Sequence, residues 1–143
     1  MYFVHTFIAE PNNENEILSV TKYHNQVFCS SIKKENIYST YAVNFRPPED
    51  RKPTSTEIKR YSHFLQKQIS IIKPKIIILM GSSAMESLTG LNSKISTERG
   101  KWKEVIVKNT TYNVIITFNP SYLLRVPENK KHSWEDLKKI KQK

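Results

Sequence analysis

The sequence predicts a layered α/β domain, and three of its features carry that prediction. Thr54-Ser55-Thr56-Glu57 fits a capping box, and behind it Ile58, Tyr61, Leu65, Ile69 and Ile72 recur at spacings of three and four, the pattern of an amphipathic helix. Lys73-Pro74 ends that helix, because proline disfavours the helical conformation in the residue before it. Lys75 to Met80 follows with the unbroken apolar run Ile76-Ile77-Ile78-Leu79, which reads as a strand buried on both faces, as in a parallel sheet. The third feature is order: strand-like and helix-like stretches take turns along the chain, an alternation that builds helices against a sheet.

The other elements follow from the same rules. A first strand is expected from Tyr2 to Ile8, stopping at Ala9-Glu10-Pro11. Asn12 to Asn36 is polar and weakly periodic, with Val27-Phe28-Cys29 its only compact apolar group. Ile37 to Val43 reads as a strand entering the Arg46-Pro47-Pro48 loop, where paired prolines deny the chain both a helix and a ladder. Gly81-Ser82-Ser83 turns the chain, and Ala84 to Leu88 begins a second helix. Val105 to Lys108 and Tyr112 to Phe118 are expected to pair around Asn109-Thr110, and Ser133-Trp134-Glu135-Asp136 to cap a last helix bearing Leu137 and Ile140. No internal repeat interrupts the order. The 143 residues make one domain, 1–143, long enough to bury about two-thirds of its unfolded surface.

Charge narrows the partner. The formal net charge is +10, yet residues 1–32 hold Lys22 against Glu10, Glu14 and Glu16, a net of −2, which leaves +12 for the rest. That asymmetry favours a polyanion for the later part of the chain, although Lys-rich codon usage would produce the same excess. Cys29 is the only cysteine, which excludes an internal disulfide and a cluster or zinc site built from cysteine alone. A cytoplasmic protein is expected. The apolar start, Met1 to Ile8, is short, lacks a basic lead and reads as a strand rather than a leader. No apolar run approaches the ~20 residues of a membrane span. His5, His24, His63 and His132 have no metal-ligand spacing, so no metal site is expected.

The most informative stretch is Thr117-Phe118-Asn119-Pro120-Ser121-Tyr122-Leu123-Leu124-Arg125, which follows the apolar Val114-Ile115-Ile116. Upstream stand Asn44-Phe45-Arg46-Pro47-Pro48, Pro53-Thr54 and Arg99-Gly100-Lys101-Trp102, and downstream Trp134-Glu135-Asp136-Leu137. In this order they resemble the family-4 uracil-DNA glycosylases, which typically carry N-V-V-K-C-R-P-P and T-F-H-P-A/S-Y-L-L-R at the corresponding places. The resemblance implies a three-layer α/β/α sandwich with a short central parallel sheet. It covers residues 33–139, with 1–32 a divergent, shortened part. It also implies hydrolysis of the N-glycosidic bond of uracil in base-excision DNA repair, a DNA partner that is single-stranded or uracil-containing, and a monomer.

Residue by residue, the same likeness assigns roles and exposes departures. The histidine that gives the family its oxyanion donor is Asn119 here, and Asn119-Pro120-Ser121 resembles the N-P-S of mismatch-specific relatives; otherwise Asn119 simply caps a turn. The asparagine that reads uracil aligns with Tyr41, and Asn44, three residues on, would face the opposite side of a strand unless a bulge intervened. The cysteine before R-P-P aligns with Phe45 and the helix cysteine with Tyr61, so the family's 4Fe-4S cluster is expected to be absent. Ala9-Glu10-Pro11-Asn12-Asn13-Glu14 is a weak match to the motif that positions water. Arg46, Ser82, Ser83, Ser121, Tyr122, Leu123 and Arg125 fall where the family meets DNA: Arg46 and Arg125 on phosphate, Ser82 and Ser83 at a strand-to-helix turn suited to an anion, and Tyr122-Leu123-Leu124 as a minor-groove wedge. The turn lacks Walker spacing, which argues against a nucleotide. In Arg99-Gly100-Lys101-Trp102, Gly100 is expected to make a bend and Trp102 to pack. Three readings stay open: a working glycosylase, a catalytically degenerate DNA-binding relative, and a truncated gene product.

Overall fold

The computed structural model describes residues 15, 17–23, 26–34, 37–45 and 47–142. The expected strand Tyr2 to Ile8, the Ala9 to Glu14 turn, and Arg46 lie outside them. Within them the class is α/β. One three-stranded sheet has the order β4-β6-β5, built from β4 (Ile76–Met80), β5 (Trp102–Val107) and β6 (Thr110–Thr117). The apolar run of β4 pairs in parallel with β6, placing Ile78 opposite Ile115, while β5 pairs antiparallel with β6, placing Trp102 opposite Ile115. The sheet is therefore mixed: only one of its two pairings is the parallel kind that the sequence suggests. The hairpin turn is Lys108-Asn109, one residue earlier than expected. Both residues take positive φ, 46° and 65°, the mirror-image turn whose twist suits flanking strands.

Helices cover both faces. Helix α1 (Ser55–Ile72) and helix α2 (Ser82–Thr89) send Leu65, Ile69, Ala84, Met85 and Leu88 into one core cluster with Ile77, Leu79, Val114 and Ile116 of the sheet. Thr117, at the alternate position of β6, meets Ser133 and Asp136 of α5 (Lys130–Lys141). This period-two division of β6 between two helical layers is the sandwich. Shorter helices α3 (Ile95–Glu98) and α4 (Pro120–Arg125) occupy the connections before β5 and after β6.

The capping box forms as expected. Thr54 Oγ1 accepts from the Glu57 amide at 3.3 Å, and Glu57 Oε2 accepts from the Thr54 amide at 2.8 Å. Arg51 grips the same carboxylate with both terminal nitrogens, at 2.9 and 2.8 Å. First the Arg51 guanidinium, then the Thr54 amide, hold the Glu57 pKa down to about 2. A carboxyl whose folded pKa is depressed stabilises the fold above its unfolded value and ceases to do so as pH falls toward the folded one. The thermal midpoint should therefore decline as pH drops from about 4.5 toward about 2. Glu57→Gln should flatten that decline, and an unchanged slope would remove Glu57 as its cause. At the other end of α1, Lys73 takes φ 50° and donates its amide to the Ile69 carbonyl at 2.8 Å. Ile72, expected on the buried stripe, is exposed beside this cap.

The polar stretch before residue 37 holds more regular structure than its sequence suggests. β1 (Ile17–Tyr23), β2 (Gln26–Lys34) and β3 (Ile37–Thr40) form an antiparallel sheet in the order β1-β2-β3. Polar residues alternate through it too loosely to show a period, and the β1–β2 register shifts between Ile17 and Val20. β3 also stops earlier than expected, at Thr40, and the backbone bends from Ala42 to Phe45. The last helix begins at Lys130 after a 3-10 turn, Pro127–Asn129, so Ser133 to Asp136 lie inside it rather than capping it. Their polar groups have another use, described next.

Candidate functional site

The C-terminal ends of β4 and β6 lie side by side, and the segments leaving them meet. Gly81 donates its amide to the Thr117 carbonyl at 3.0 Å. It takes φ 99° and opens α2. Asn119 caps α4: its Oδ1 accepts from the Ser121 amide at 2.8 Å. Its side chain lies over Gly81 so closely that a Cβ there would stand 3.1 Å from Asn119 Cβ and 3.4 Å from Nδ2. Glycine at 81 thus meets two demands, a left-handed φ and a close approach. Gly81→Ala should destabilise the domain by about 1–3 kcal/mol, read as a lowered denaturation midpoint; an unchanged midpoint would show that the two segments can part without loss.

A buried clamp fixes the end of β6. Asp136 is 0% exposed and Arg99 only 16%. Arg99 donates from Nε to Asp136 Oδ2 at 3.1 Å and from Nη2 to Oδ1 at 2.6 Å, a bidentate pair,. The same nitrogen also donates to the His132 carbonyl. Thr117 Oγ1 donates to Asp136 Oδ2 at 2.8 Å. Lys139 Nζ donates to the Gly100 carbonyl at 2.8 Å, and the Gly100 amide to the Ile116 carbonyl at 2.8 Å. Gly100 takes φ 68°, and a Cβ there would collide with Asp136 Oδ1. The guanidinium carbon of Arg99 sits 5.7 Å from the centre of the Phe118 ring, which packs against Tyr122 at 5.1 Å. Arg99, Gly100 and α5 therefore grip the three residues that precede Asn119.

Beyond Asn119, helix α4 presents Tyr122 and Leu123 half-buried, while Leu124 (65% exposed) and Arg125 face solvent. Asn129 Nδ2 donates to the Tyr122 hydroxyl at 3.1 Å. Across the turn, Ser82 is half-buried and Ser83 buried, so Ser82 keeps more of the surface an anion needs. Asn119, Ser121 and Tyr122 are brought together, with Ser82 directly after Gly81.

The uracil DNA glycosylase superfamily model matches residues 5–138. The chain belongs to the uracil DNA glycosylase superfamily. It is 36% identical over 115 residues to the type-4 uracil-DNA glycosylase of Thermotoga maritima, covering 78% of this chain and 58% of that protein. With the type-4 enzyme of Sulfurisphaera tokodaii the identity is 36% over 118 residues, 78% of this chain and 52% of the relative. With that of Saccharolobus solfataricus it is 30% over 151 aligned positions, 95% and 69%. The chain thus spans little more than half the length of the first two of these curated relatives.

Within this superfamily member, two other expected positions go elsewhere. Asn44 lines a cleft of about 290 Å³ along α1 with Tyr61, Phe64, Lys67, Gln68 and Ile71, a lining that includes neither Asn119 nor Ser82. Its Oδ1 is buried there with no hydrogen-bond partner among the described residues. Tyr41 is half-buried just past the end of β3. Phe45 and Tyr61 stack with ring centres 5.2 Å apart, and Tyr61 continues to Phe64 at 6.1 Å. Iron-sulfur clusters are held by thiolates, so the residues at these two positions do not fit one. Among the described residues no three His, Cys, Asp or Glu side chains are grouped so as to hold a metal ion, and no helix is long and apolar enough to cross a membrane. Sequence reasoning missed the Arg99–Asp136–Thr117 clamp. Its signal was the pairing of two quoted motifs, Arg99-Gly100 and Glu135-Asp136, which are complementary in charge but far apart in the chain.

Proposed function

We propose that this chain excises uracil from DNA as a monomeric base-excision glycosylase of the cytoplasm, working without an iron-sulfur cluster. The observation that carries the reading is the setting of Asn119. Its carbonyl oxygen accepts from the Ser121 backbone amide, which fixes the orientation of the side chain and makes its nitrogen the donor end. It stands at the carboxyl ends of two parallel strands, where α/β sheets bind ligands. In the reaction, the bond between C1′ and the base nitrogen breaks and its electron pair leaves with uracil, while a water oxygen bonds to C1′ and its proton passes through solvent to the uracil anion. The departing base carries the negative charge, and a donor already in place stabilises it. Ser82, Tyr122, Leu123 and Arg125 hold the backbone and fill the space of the flipped nucleotide. Arg46 and the Glu10 to Glu14 stretch lie outside the described residues and enter no step.

A second reading, a DNA-binding relative that does not excise, is favoured by Tyr41 and Asn44. The expected reading amide is a phenol, and the nearby asparagine turns toward α1. Base release from a labelled oligonucleotide bearing one uracil, revealed by alkaline cleavage with enzyme in excess, decides between them. Strand scission supports excision; an intact strand with a cooperatively folding sample supports the second reading.

A further inference from the structure

We propose that the outward face of α5 is a binding surface for single-stranded nucleic acid, with Trp134 as a platform on which an unpaired base stacks. At 3.6 residues per turn, Lys130, Trp134, Leu137, Lys138 and Lys141 fall within an arc of about 100°. Trp134 is 63% exposed, Leu137 is 38% exposed, and all three lysines face solvent. The opposite side of the helix is spent on the fold, with Ser133 and Asp136 buried. Both acids of the helix are also occupied there: Asp136 by Arg99, and Glu135 within 3.8 Å of Arg99 and 3.5 Å of His132. Among the described residues no ion pair involves Lys130, Lys138 or Lys141. The arc is thus three uncompensated cations around one large exposed ring.

That combination selects the partner. A polyanion satisfies the lysines, and a flat π-surface satisfies the indole, as in proteins that bind single strands with little regard to sequence. A duplex supplies the charge but hides its base faces. A membrane surface supplies charge and an apolar phase, but an interfacial helix needs a broad apolar face, and this arc offers two apolar side chains. In the chain, α4 with its exposed Leu124 and Arg125 ends five residues before Lys130, with the 3-10 turn Pro127–Asn129 between them. The inference shares with the proposed excision only a nucleic-acid partner. It concerns strands without uracil, so either can fail alone.

The test is intrinsic fluorescence of the whole chain titrated with a short uracil-free oligothymidylate. Emission should be quenched, and Trp134→Ala should abolish most of the quenching and weaken binding about tenfold. Trp134→Phe, which keeps a stacking face, should retain most of the affinity. Because the side chain is exposed, neither change should alter the melting midpoint. Heparin, an anion without bases, should bind in a salt-dependent way and leave the emission unquenched. An affinity within twofold of the parent for Trp134→Ala, equal quenching by heparin, or preferential binding to anionic lipid vesicles would each overturn the proposal.

Discussion

Asp136→Ala should lower the stability of the domain by about 3–5 kcal/mol, the cost of removing one partner from a buried ion pair. The size follows from what is left behind. Arg99, 16% exposed, would keep its charge against the Phe118 ring with only the His132 carbonyl and the distant Glu135 to answer it. Thr117 would lose the acceptor of its hydroxyl, and the space beside the Gly100 α-carbon that the carboxylate fills would be left empty. Urea denaturation of the parent and variant measures the difference. Replacing both partners, Arg99→Met with Asp136→Leu, should cost less than Asp136→Ala alone, because no unpaired charge remains. A single-variant cost below about 1 kcal/mol, the scale of a surface pair, would mean that the clamp does not hold the strand end.

Asn119→Ala should reduce base release by about 10²–10³, the range found when one donor to a developing oxyanion is removed. Alanine also deletes the cap of α4, worth about 0.5–2 kcal/mol, so a lower rate alone would mix two causes. Asn119→Asp separates them. Aspartate keeps an oxygen for the Ser121 amide, now 2.8 Å from Asn119 Oδ1, yet has no donor and sets a negative charge beside the departing base. Its rate should fall at least as far as that of the alanine variant while its melting midpoint stays near the parent. An aspartate variant that releases base at the parent rate would end the assignment of Asn119 as donor.

The elements that were legible in the sequence are those whose causes lie within a few residues. The capping box needs only Thr54 and Glu57, the helix stop only Lys73-Pro74, and the strand β4 only its own apolar run, although Ile76 and Ile78 are half-buried where burial on both faces was expected. The Asn119 cap is equally local. What stayed hidden depends on partners far along the chain. β1 and β2 are strands because they pair with each other and β2 with β3, and their polar sequence gives no sign of it. Ser133 to Asp136 has the composition of a helix start, but the carboxylate of Asp136 answers a guanidinium 37 residues away, so the helix begins earlier. The position of Asn44 was open for a related reason: facing alternates only along a regular strand, and β3 ends before reaching it. Of the candidate site, the residues of one short segment were readable, while the support beneath them was not.

The clamp also bears on how such a chain changes over generations. Neither Arg99 nor Asp136 can be exchanged singly without leaving a buried charge stranded, so a lineage can leave the arrangement only through paired change. The identities at these two positions answer to folding and are indifferent to whether Asn119 still does chemistry. A descendant without glycosylase activity would therefore be expected to keep Arg99-Gly100 and Asp136. Those two motifs record ancestry whatever Asn119 does.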